Sequence, residues 1–203
     1  MSVSLIEFRR TAPKADVIER FFDACQPGRV FFTFGAGWWA AYKRGFQRRR
    51  ARPKRKTRIP NHVGLVGFPG ASGVVPIHES TLWRGPSERP IADYLDKRGE
   101  IVIADWRVRM SGDEIRQGIE GMLAYRNRVE SQKRYVFGEY DWISLLSWFG
   151  LQQNNAAICS EYVMAFRNEA LRYRRGYQLV YDRLVLPVDI WAITFPILRI
   201  KVS

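Results

Sequence analysis

A cysteine, a histidine and a glutamate are placed in this sequence where nucleophilic chemistry would need them. Cys159 stands in Ala156-Ala-Ile-Cys-Ser-Glu-Tyr-Val163, just ahead of the run Ser160 to Arg175, where Val163, Phe166, Ala170 and Tyr173 recur at helical spacing. A helix over that run puts Cys159 at its amino-terminal end, on the inward face. Unpaired N–H groups and partial positive charge at such an end favour a thiolate and lower its pKa. A lone cysteine is more often a small buried hydrophobe, so the nucleophile reading needs partners.

Two segments of strand character supply them. Asn61-His-Val-Gly-Leu-Val-Gly-Phe68 and Val74-Val-Pro-Ile-His-Glu-Ser-Thr-Leu-Trp83 flank Pro69-Gly-Ala-Ser-Gly73, which is turn chemistry, so the pair predicts an antiparallel hairpin. A four-residue loop, Pro69 to Ser72, makes Phe68 face Gly73 and His62 face Glu79. Opposed side chains share a face and lie within reach of each other. A carboxylate there fixes the imidazole's tautomer and favours its protonated form. A one-residue slip would put Glu79 on the wrong face, and Pro76 argues for an edge strand or a bulge. Without Glu79, His62 is an ordinary satisfied or surface histidine. Alternation points His78, the other histidine, away from Glu79.

The elements that must hold these residues follow from the rest of the pattern. Ala15 to Cys25 predicts a short amphipathic helix ended by Pro27-Gly28, with Cys25 used for packing, and Arg29 to Phe34 predicts a buried strand. A helix starts near Gly35-Ala-Gly-Trp-Trp-Ala-Ala-Tyr42. Ile101 to Arg109 predicts a third strand, and Ser111-Gly-Asp-Glu114 is a capping box before a helix to about Ser131. The carboxyl end, Leu179 to Leu186 and Val188 to Val202, is apolar and strand-like. One α+β domain over residues 1–203 is the expectation.

Composition narrows the function classes. The 203 residues are 46% hydrophobic and 14% aromatic, enough for a sizeable core. Two cysteines make no disulfide framework, no Cys/His group has zinc spacing, and no cofactor motif occurs. Neither a signal-length apolar core near the amino terminus nor a membrane-span run is present, which predicts a soluble cytoplasmic protein and is compatible with a phage-encoded or virion-associated one. The net charge is +13, and from Lys43 to Arg58 ten of sixteen positions are basic. Arg48, Arg49, Arg50, Arg52, Lys54, Arg55 and Lys56 form its centre, read as a basic insertion that resists burial and attracts an anionic polymer or surface. A solvated loop is the alternative use.

The order of a histidine strand, a glutamate strand, Tyr140-Asp-Trp142 and then Cys159-Ser-Glu-Tyr-Val163 resembles the circularly permuted papain-like amidases of the NlpC-type superfamily. His62-Val-Gly-Leu-Val66 is similar to the histidine strand of lecithin:retinol acyltransferase, a related design. The resemblance spans roughly residues 29–187. It implies a permuted papain-like antiparallel sheet packed against helices. Cys159 would be the nucleophile, His62 the base and then the acid, Glu79 the residue orienting His62, and Tyr140 a neighbour of the oxyanion. A Cys159 thioester would form without cofactor or metal, with backbone N–H groups near Ser160 facing the oxyanion. The implied substrates are cell-wall (peptidoglycan) peptide amides or lipid acyl bonds, for a hydrolase or an acyltransferase. The rival from another class is a non-enzymatic nucleic-acid or polyanion-binding protein using residues 43–58.

Overall fold

Strand Val30–Phe34 (β2) reads Val-Phe-Phe-Thr-Phe because both of its faces are covered. Val30 and Phe32 enter one core and Phe31 the other, all without exposure. A computed structural model describes residues 4–8, 15–35, 38–51, 58–81, 85–95, 99–131, 159–177 and 185–202. The other strands are Ser4–Phe8 (β1), His62–Val66 (β3), Pro76–Thr81 (β4), Gly85–Pro90 (β5), Gly99–Trp106 (β6) and Thr194–Val202 (β7). The helices are Ala15–Ala24 (α1), Trp38–Ala51 (α2), Gly112–Ser131 (α3), Cys159–Ala170 (α4) and Pro187–Ala192 (α5). The protein is α+β.

The seven strands run in the order β1-β7-β6-β2-β3-β4-β5, antiparallel at every step except the parallel pair β1 and β7. On one face α3, α4 and α5 cover Val30, Phe32, Val63, Leu65, Val102 and Ala104. On the other, Phe21 and Cys25 from the α1 region and Ile91 and Tyr94 from a short 3-10 turn cover Phe31, Ile77, Ile101 and Ile103. Cys25 is the packing residue its position predicts, and burial pushes its thiol up despite nearby Arg29. Removing this much apolar surface from water is the main drive to fold.

The capping box is present: Glu114 N–H donates to Ser111 Oγ at 3.2 Å and Ser111 N–H donates to Glu114 Oε2 at 2.8 Å. Helices α3 and α4 approach closely at Gly118, where an added Cβ would lie 2.7 Å from the Phe166 ring and 2.8 Å from Ala170 Cβ.

Three sequence readings need correction. The predicted carboxyl-terminal strand from Val188 is helical to Ala192, because Pro187 suits a first helical position and the Asp189 side chain accepts the Leu186 N–H at 2.9 Å. The Cys159 helix ends at Ala170, so Tyr173 is 81% exposed instead of facing inward. Pro76 marks no edge, since β5 lies outside β4; it occupies the first position of its strand, which also tolerates proline.

Candidate active site

The β3–β4 hairpin brings His62 to Glu79 by a register two residues from the predicted one. Gly64 faces Glu79, Leu65 faces His78 and Val66 faces Ile77. The turn is longer than four residues, with Gly67 N–H still bonded to Pro76 O at 2.8 Å. A shift of two preserves the face, whereas a shift of one reverses it. His62 and Glu79 are therefore diagonal neighbours on one face. Their heavy atoms, His62 Nε2 and Glu79 Oε2, are 2.6 Å apart. Opposite Glu79, Gly64 gives up its side-chain place to Ile77: a Cβ there would lie 2.6 Å from Ile77 Cγ2.

Glu79 has no exposure, and its Oε2 meets both His62 and Tyr94. Beside His62, the Tyr94 hydroxyl donates to Oε2, and Arg89 Nε lies 3.7 Å from Oε1. Burial favours the neutral acid, but His62 first, then Tyr94 and Arg89, hold the carboxyl down at about 2. An ionised carboxylate only accepts, so the His62 proton facing it is on Nε2. That leaves Nδ1 to serve a thiol.

Cys159 is that thiol. It is the first residue of α4 among the described residues and 4% exposed, while the His62 side chain keeps 15% exposure. Burial raises a thiol's pKa, yet charge and a hydrogen bond from His62, the charge of Lys43 and the Val63 backbone N–H together hold Cys159 below its usual value. For His62, burial pulls downward, and the Cys159 thiolate and Glu79 outweigh it, raising the imidazole to about 9. Both shifts act in the direction that favours a thiolate–imidazolium pair over the neutral one. The first-turn N–H groups of a helix have no carbonyl within the helix to bond, so those at the start of α4 can receive an oxyanion. Ser160 belongs to that turn, its hydroxyl tied to Val185 O at 2.6 Å.

Of the residues singled out in the sequence, Cys159, His62, Glu79 and Ser160 converge here. Tyr140 lies outside the described residues. His78 points to the opposite face as alternation requires, its Nδ1 3.5 Å from Glu88 Oε1. The basic run is a correction in part. Lys43 to Ala51 continue α2 as helix, and Lys43, Arg44 and Arg58 are half-buried, so the run is not uniformly solvated. Arg58 donates to both Glu100 oxygens at 2.5 Å and covers the Phe34 ring at 4.2 Å. Arg48 and Arg49 are exposed on α2; Arg52, Lys54, Arg55 and Lys56 lie outside the described residues, as does the Arg50 side chain.

Sequence reasoning missed Tyr94, Arg89 and Lys43. Arg89 sits in Gly85-Pro-Ser-Glu-Arg-Pro90, where two prolines hide a strand that is an edge and so tolerates them. Pairing of Ile77 with Arg89 then makes Arg89 a diagonal neighbour of Glu79. Lys43 was masked by the nine basic residues that follow it. Among the described residues, no group of three or more His, Cys, Asp or Glu side chains is placed to hold a metal ion, and no helix is long and apolar enough to cross a membrane.

No family model and no curated protein matches the chain. Among solved structures, the crystal structure of metalloprotein yiiX from Escherichia coli O157:H7 is similar at 17% identity and a TM-score of 0.45, over 75% of this chain and 69% of that one. A likeness at that level identifies neither a family nor an activity for this chain.

Proposed function

We propose that the protein is a thiol hydrolase or acyltransferase built on a circularly permuted, NlpC-type papain-like plan. The observation that carries the reading is one imidazole held between a fully buried carboxylate at 2.6 Å and a thiol at the start of a helix. The chain order supports it too, with the histidine and glutamate strands preceding the cysteine helix.

The Cys159 thiolate attacks an acyl carbonyl, and the carbonyl electrons move to an oxyanion facing the α4 amino terminus. His62 then gives its Nδ1 proton to the leaving amine or alkoxide as the carbon–heteroatom bond breaks, leaving a thioester on Cys159 and a neutral imidazole. Water or a second acceptor loses its proton to Nδ1 while attacking the thioester, which restores the ion pair. Glu79 keeps the Nε2 proton throughout, so the ring cannot turn and its charge is stabilised. Cell-wall peptide amides and lipid acyl bonds are the two donor classes.

Iodoacetamide labelling of Cys159 near pH 6 tests the thiolate, because an unperturbed thiol with a pKa of about 8.5 is inert there. The expected result is stoichiometric labelling of Cys159, lost in His62→Ala; an unreactive Cys159 would sink the proposal. Incubation with wall peptides and with phospholipids, followed by intact-mass detection of an acyl adduct on Cys159, then identifies the donor.

A further inference from the structure

Helix α2 presents a lysine to the site that nothing in the acyl-transfer steps above uses. Its inner face is clamped to the segment entering β3. Gln47, 2% exposed, donates from Nε2 to Pro60 O at 2.7 Å and accepts the Val188 N–H on Oε1 at 3.0 Å. Arg44 donates to Gly35 O at 2.9 Å and to Asn61 Oδ1 at 3.1 Å. Pro60 and Asn61 lead directly into His62, while Val188 belongs to the segment whose Val185 carbonyl holds Ser160. These bonds tie α2 to both halves of the candidate dyad. Lys43 lies four residues before Gln47, and residues four apart share a helix face.

Lys43 is half-buried, and the charge it faces among the described residues is that of Cys159. Buried ammonium groups are ordinarily paired with a carboxylate. Among the described residues the charge it meets is that of the reacting sulfur, which disappears when the thiolate becomes a thioester. An anion brought by the substrate would replace it.

We propose that Lys43 determines specificity by binding an anionic group, carboxylate or phosphate, carried by the acyl substrate beside its scissile bond. The inference rests on Cys159 being the nucleophile, and on the first turn of α4, not Lys43, serving the transient oxyanion. It assigns the first residue of the basic run to the site itself and not to a polymer-binding surface.

The test compares alkylation of Cys159 in the full chain by iodoacetate and by iodoacetamide near pH 6, the labelled residue being located by peptide mass. Lys43→Met is expected to lower the iodoacetate-to-iodoacetamide rate ratio about fivefold or more, with Lys43→Arg staying near the parent. In the parent protein the ratio should also shrink as salt rises from about 50 to 500 mM. A folded Lys43→Met with an unchanged ratio overturns the proposal; should that variant not fold, a ratio indifferent to salt does the same. Reaction with neither reagent removes the thiolate reading instead, and this proposal with it. Protection from iodoacetamide at about 50 mM, where even a weak contact fills the site, assigns the source: by N-acetylglutamate a peptide carboxylate, by glycerol phosphate a lipid headgroup. Protection by neither overturns the subsite.

Discussion

His62 and His78 sit on neighbouring strands, each beside a glutamate, and their protonation is driven in opposite directions. His62 is raised to about 9 and His78 is lowered. Burial is the largest influence on both and acts downward on both. The difference lies in the partners. Glu79 is buried, held in its ionised form and 2.6 Å from His62, and Cys159, its thiol held below its usual pKa, bonds the same ring. Glu88 is 45% exposed, 3.5 Å from His78, and shared with Arg126 at 3.1 Å, whose charge also opposes protonation of His78. Enclosure alone therefore produces a neutral spectator histidine. A dry carboxylate at hydrogen-bond distance, with a thiol of lowered pKa beside the ring, favours the charged form.

Breaking the charged member should have the largest effect. His62→Gln is expected to slow Cys159 alkylation near pH 6, and any acyl turnover, by about a hundredfold to ten-thousandfold, the range that general acid–base groups contribute. Next comes Glu79→Gln, which keeps the shape and removes the charge. The His62 pKa should fall well below about 9, read from the pH profile of alkylation, and the rate should drop by about ten- to a hundredfold. The same variant tests stability. With its carboxyl depressed from 4.5 to about 2, Glu79 stabilises the fold above 4.5 and loses that contribution as pH falls towards 2. Thermal melts of Glu79→Gln should lack that acid limb.

Smaller still is Gln47→Leu. It strands the buried Pro60 carbonyl and Val188 N–H, at roughly 1–3 kcal/mol each, and calorimetry should show the loss. His78→Gln closes the series, with alkylation within about twofold of the parent. Its signature is in stability alone: the folded histidine resists protonation, so the parent loses stability as pH falls below 6.5 and the variant does not. Above 6.5 the folded state holds an extra proton on His62, and below 9 its lowered Cys159 favours losing one, so the two act against each other in the pH dependence of stability.

The histidine–glutamate pairing was legible because the pleat repeats every two residues. The hairpin loop was misjudged by two, and the error cancelled in the face each side chain takes. Cys159 at the start of its helix was legible from periodicity, as was the Ser111 cap from its spacing. Arg89 was hidden because prolines read as a loop unless the strand is known to be outermost, a fact about sheet order and not about local sequence. Lys43 was hidden by its own neighbours. In a run of ten basic residues, nothing local distinguishes those that turn inward; for Lys43 that depends on Arg44 and Gln47 gripping Asn61 and Pro60, pairings far apart in the chain.

Strand β7 is synthesised after every other strand described, yet it occupies an interior slot, between β1 and β6. Until it arrives, β1 has no neighbour in the sheet and β6 offers an open row of N–H and C=O groups, a surface prone to pairing with other chains. A ribosome-bound chain that has already emerged past Cys159 therefore still lacks the strand that closes its sheet, and a product cut short before Thr194 would leave two strand edges bare.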